Sequence, residues 1–84
     1  MAMTYELHPR YDSRKSFYGK AWVTEYENGR QVLVSYTTCV AEITEDGQPI
    51  IYGKYSQTTT RHQKEFMKQN GFFDDINTYM RKEH

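Results

Sequence analysis

The sequence predicts an α+β fold: a three- to four-stranded antiparallel sheet with one or two C-terminal helices packed on one face. Three observations carry this. Asn28-Gly29 stands between two runs of aromatic and β-branched residues, 20–26 and 31–36, the pattern of a β-hairpin. Residues 61–70 are mostly good helix formers, with capping hydroxyls before them and Gly71 after them. The 84 residues suffice for one domain, since most domains run to ~100–150 residues.

Within that single domain, 1–84, residues 1–19 have no clear period and read as an extended arm. Residues 20–54 read as the antiparallel sheet. Placing the tight turn at Asn28-Gly29 sets Glu27 opposite Arg30 and Val23 opposite Val34. In that register Ala21, Val23, Val32, Val34 and Tyr36 share one face, and Trp22, Tyr26 and Leu33 share the other. Residues 39–44 read as a third strand, or as the second continuing past a bend or bulge. Asp46-Gly47 is a turn, and residues 50–54 read as a short fourth strand. Residues 59–82 read as helical. Thr59 or Thr60 caps the first helix, whose buried stripe is His62, Phe66 and Met67 with Thr59 and Gln63 beside it. Asp74 opens a second, with Phe72, Phe73, Ile76, Tyr79 and Met80 at helical spacing.

Composition narrows the function classes. Eleven basic and eleven acidic residues give zero net charge, which argues against a dedicated nucleic-acid binder. The ends are mildly basic and the middle acidic. A spanning helix needs ~20 apolar residues and no such run exists, so no membrane association is expected. The start shows no apolar stretch leading to small residues, and one cysteine, Cys39, precludes an intrachain disulfide. A cytoplasmic setting is expected.

Four features bear on chemistry. Thr58, Thr59, Thr60, Arg61 and His62 surround a helix start, where free N–H groups and the dipole favour an anion; the simpler reading is one capping threonine. Cys39 and His62 are residue types that can pair as nucleophile and base, but no spacing places them together, and metal-ligand spacing is absent too. The face of Trp22, Tyr26 and Leu33 admits three readings. It packs against the arm through Tyr11, Phe17 or Tyr18; it is a dimer or partner surface; or it stacks nucleic-acid bases. The arm interleaves aromatic residues with Arg10, Arg14 and Lys15, and Lys20 follows; this is the composition of a nucleic-acid contact through these four and equally of a solvated edge strand, which zero net charge favours.

Residues 16–21 (Ser-Phe-Tyr-Gly-Lys-Ala), 33–41 with Ser35-Tyr36-Thr37-Thr38-Cys39-Val40-Ala41, and 55–66 with Tyr55-Ser56-Gln57-Thr58-Thr59-Thr60-Arg61-His62 and Glu65-Phe66 carry a resemblance. The chain resembles, over roughly residues 16–71, a family of small uncharacterised proteins from phages and mobile elements of Gram-positive bacteria. The resemblance implies a bacterial cytoplasmic setting and an accessory role, and brings no catalytic residue. The expectation is a non-enzymatic interaction module without cofactor, binding a protein partner or a second copy. The alternative is a nucleic-acid-binding accessory protein that uses the basic arm and sheet.

Overall fold

The computed structural model describes residues 2–80. The fold is α+β, with five strands rather than three or four: β1 (Met3–Glu6), β2 (Ala21–Glu25), β3 (Gln31–Ser35), β4 (Thr38–Ile43) and β5 (Pro49–Ile51). They form one antiparallel meander in chain order. Helix α1 (Gln57–Gln69) crosses one face, and a single 3-10 turn, Ile76–Tyr79, follows it. The extra strand comes from the arm, where residues 3–6 pair with β2.

The β2–β3 register differs from the predicted one by a single residue. Val23 lies opposite Leu33, and Trp22 opposite Val34. The reason is the loop. Tyr26 donates its N–H to the Arg30 carbonyl at 2.8 Å, closing a three-residue connection, Glu27-Asn28-Gly29. Only Gly29 takes a positive φ, 94°. A two-residue turn at Asn28-Gly29 would need positive φ at both. Instead the Asn28 side chain accepts from the Arg30 N–H at 3.0 Å and holds a turn that closes through glycine. Because side chains alternate, the slip exchanges faces: Leu33 points to the helix, while Val32 and Val34 join Trp22.

Helix α1 starts one turn earlier than expected. Ser56, not a threonine, is the cap, accepting from the Thr59 N–H at 3.2 Å. The end falls where predicted. Gly71, at φ 88°, donates to the Lys68 carbonyl and Phe72 donates to the Met67 carbonyl, a Schellman ending that satisfies the last carbonyls and swings Phe72 back to the core. The second predicted helix reduces to the 3-10 turn capped by Asp75 rather than Asp74, with Phe73 left exposed; residues 81 and 82 lie outside the described residues.

The core sits between sheet and helix. Leu7, Ala21, Val23, Leu33, Ala41, Ile43 and Ile51 from the sheet side meet Phe17, Phe66, Met67 and Ile76. Each fully buried large apolar side chain contributes roughly 1.5–3 kcal/mol. A bulge in β4 opposite Leu33/Val34 adds Val40, so that two consecutive residues, Val40 and Ala41, are both buried. Among the described residues no helix is long and apolar enough to cross a membrane.

Candidate partner-binding face

Period-two alternation places Thr4, Glu6, Trp22, Thr24, Val32, Val34, Cys39, Glu42 and Ile50 on the sheet face opposite α1. Among the described residues no element crosses this face. Trp22 is 40% exposed and Tyr26 41% exposed. Leu33, expected beside them, is fully buried under the helix; the one-residue register difference removes it from the candidate surface.

The arm does not cover this face. Phe17 enters the core against His62, with ring centroids 4.6 Å apart, and Tyr11 packs edge-on to Phe73 at 5.5 Å. Tyr18 points to water. Beyond strand β1, the arm meets the outer face at its end, where the Trp22 indole N–H donates to the Gly19 carbonyl at 2.8 Å and the Gly19 N–H donates to the Glu6 carboxylate at 2.9 Å. These bonds fix the indole in orientation and leave its ring accessible.

A polar chain crosses the same face next to Tyr26. Arg30 grips Glu42 with two bonds, Nε to Oε2 at 2.8 Å and Nη2 to Oε1 at 3.1 Å. The guanidinium also lies 5.3 Å from the Tyr26 ring centroid, and the Tyr52 hydroxyl donates to Glu42 Oε1. Hydrogen bonding from Arg30 holds the Glu42 carboxylate below its ordinary 4.5, and burial followed by the Glu42 bond pushes Tyr52 up to about 12. Arg30, Glu42 and Tyr52 thus form a charge-balanced strip at neutral pH, with the Tyr26 ring against the guanidinium. Sequence reasoning missed it, because its members come from separate segments.

Cys39 is also on this face, while His62 is on the other, so the two cannot act together. Burial, then the Glu42 charge, raise the Cys39 thiol above its usual value, which works against a thiolate. His62 pairs instead with Ser35. Its Nδ1 lies 2.8 Å from the Ser35 hydroxyl, which is 3.0 Å from that of Thr59. All three residues are buried, and Nε2 of His62 has no hydrogen-bond partner among the described residues. A serine nucleophile must reach its substrate; this one is sealed.

The five residues around the helix start do not converge. Thr59 and His62 face the core. The Thr60 hydroxyl donates to the Ser56 carbonyl, Arg61 pairs with Asp12 at 3.0 Å, and Thr58 stands exposed. Arg10, Arg14, Lys15 and Lys20 are all exposed, with Lys20 lying over the Tyr36 ring at 5.9 Å. A depression of about 650 Å³ between β5 and the 3-10 turn is lined by none of the predicted site residues. Among the described residues no group of three or more His, Cys, Asp or Glu is placed to hold a metal ion.

Glu65 is the buried group with no sequence signal. One carboxylate oxygen accepts the N–H groups of Tyr11 and Asp12 at 2.9 and 3.0 Å, and the other accepts from Gln69 at 2.6 Å. It ties the Tyr11–Asp12 segment of the arm to the helix side of the fold. No curated protein and no solved structure matches this chain. Residues 5–83, strands and helix together, match one family as a unit, and the chain belongs to that family of unknown function, DUF8033.

Proposed function

We propose that this chain is a non-enzymatic interaction module whose open sheet face, around Trp22 and Tyr26, receives a macromolecular partner, and that the partner is a protein. The observation that carries this reading is the uncovered sheet face, with half-exposed Trp22 and Tyr26 beside the fixed Arg30–Glu42–Tyr52 chain. Trp, Tyr and Arg dominate the energetics of protein interfaces, and here their rotamers are already held, which lowers the entropy cost of docking. The sealed Ser35–His62 pair and the high thiol value of Cys39 support a role without chemistry. By the resemblance of residues 16–71, the setting is phage or mobile-element biology in a bacterial cytoplasm.

Trp22 is the sole tryptophan, so its fluorescence reports directly on this face. Proteins captured from a bacterial cytosol by the wild-type chain are to be released by Trp22→Ala and Tyr26→Ala and retained by Tyr18→Ala. Capture that ignores Trp22 and Tyr26 overturns the reading. The exposed Arg10, Arg14, Lys15 and Lys20 motivate the alternative of nucleic-acid binding. A single-stranded oligonucleotide that quenches Trp22 with a steep salt dependence would favour it.

A further inference from the structure

The two edges of the sheet are treated differently. The β5 edge is closed by a parallel bridge from Ile51 to Met80. The β1 edge carries no such cover among the described residues, and has neither proline, lysine nor bulge to blunt it. The alternation of the ladder shows which groups are free. Leu7 donates to the Ala21 carbonyl at 2.9 Å, so Leu7, Tyr5 and Met3 spend their main-chain groups on β2. Thr4 and Glu6 therefore turn their N–H and C=O groups outward.

We propose that two copies of this chain associate through the β1 edge, antiparallel and centred on Tyr5, so that one sheet runs through both. The register is self-complementary. A two-fold axis at Tyr5 sets Thr4 of each copy opposite Glu6 of the other, and these are the residues whose main-chain groups are free to exchange hydrogen bonds. The Tyr5 rings then meet as a close pair on the helix side, and Met3 of each copy faces Leu7 of the other. That placement suits the exposure. Met3 is 63% exposed and Tyr5 37%, on the side of the sheet that elsewhere forms the core. A groove of about 340 Å³ beside the edge, lined by Tyr5, Leu7, His8, Arg10 and Gln69, lies where the second copy's Met3 would settle. Charges agree as well: Glu25 marks the Met3 end of the edge and Arg10 follows the Leu7 end, so the antiparallel arrangement brings opposite charges to each end of the contact. This inference is independent of the open-face reading, since it uses the edge of the sheet rather than its face.

Sedimentation of the full chain across a concentration series tests it. The expected mass rises from the 10.1 kDa of one chain to twice that value. Thr4→Pro removes an outward N–H that the β1–β2 ladder does not use, so it is expected to weaken association ~30-fold or more while leaving the circular dichroism unchanged. Thr4→Ala keeps the N–H and is expected to remain a dimer. Should Thr4→Pro fold poorly, amide exchange of the wild type decides: Thr4 and Glu6 are expected to be protected at high concentration and open at low. A mass of 10.1 kDa throughout overturns the proposal. A dimer that Thr4→Pro leaves intact, or protection of Thr4 and Glu6 only on addition of a foreign peptide, does so too.

Discussion

The Ser35 hydroxyl lies 2.8 Å from Nδ1 of His62, joining β3 to α1 inside the core, with both residues withdrawn from water. In a small domain such a bond matters because few contacts hold the helix down. Ser35→Ala leaves the His62 ring with no hydrogen-bond partner among the described residues and leaves Thr59 without one of its partners. We expect a loss of about 1–3 kcal/mol in denaturant unfolding, the cost of buried polar groups left unsatisfied.

Acid should weaken the fold through the same histidine. Burial lowers the folded-state pKa of His62 below its ordinary 6.5, with a smaller opposing pull from Asp12. The unfolded chain then binds the proton more readily than the folded one. Stability is full above that ordinary value and declines as pH falls through 6.5 toward the folded value. The thermal midpoint of the wild type is expected to drop in this window, and that of His62→Asn, though lower overall, to stay flat. A wild-type curve flat down to the carboxylate range would contradict the assignment.

A second window belongs to Glu42. Its folded pKa lies below 4.5 because of Arg30, so the pair's contribution is present above that value and is lost as pH falls below it. Arg30 is 42% exposed, and solvent screening keeps the ion pair's contribution to stability small. Glu42→Gln is expected to lower stability slightly at pH 7, to remove the second acid step, and to leave the His62 step in place. Unfolding midpoints followed across pH check all three.

Tyr18 and Gly19 are the central residues of a turn closed by Lys20 N–H to the Phe17 carbonyl, and both have positive φ, 54° and 73°. That geometry favours Asn-Gly, and tyrosine is strained in it. Tyr18 is 74% exposed and buries little. Tyr18→Asn is therefore expected to raise stability by about 0.5–1 kcal/mol, read as a higher thermal midpoint.

Releasing Glu65 should free the arm without unfolding the sheet. Glu65→Gln puts an amide group where a carboxylate accepts from Tyr11, Asp12 and Gln69. Faster amide exchange at Tyr11 and Asp12, with the β3 amides unchanged, is the expected result.

How legible all this was depended on the scale of the signal. The helix could be read because its cap region, its buried stripe and Gly71 agree with one another. The hairpin at Asn28 was readable, but its loop length turned on where one asparagine side chain bonds, and periodicity does not encode that. Leu33 changed faces as a result, whereas Trp22 and Tyr26 remained exposed. Strand β1 went unread although Met3, Tyr5 and Leu7 alternate with Thr4 and Glu6, because the run is short and a long connection rather than a hairpin turn joins it to β2. Two partners of Glu65, the N–H groups of Tyr11 and Asp12, lie more than fifty positions away in the arm, beyond the reach of any local pattern.

The extra residue in β4 has a chemical consequence. Had the pairing of Leu33 with Ala41 continued evenly along the ladder, Cys39 would stand across from Ser35, on the imidazole's side of the sheet. The bulge sets Thr38 there instead and moves Cys39 across from Val34. One inserted valine thereby insulates the molecule's single thiol from the sealed imidazole of His62, so that an alkylating reagent can modify the thiol while the helix anchor goes untouched.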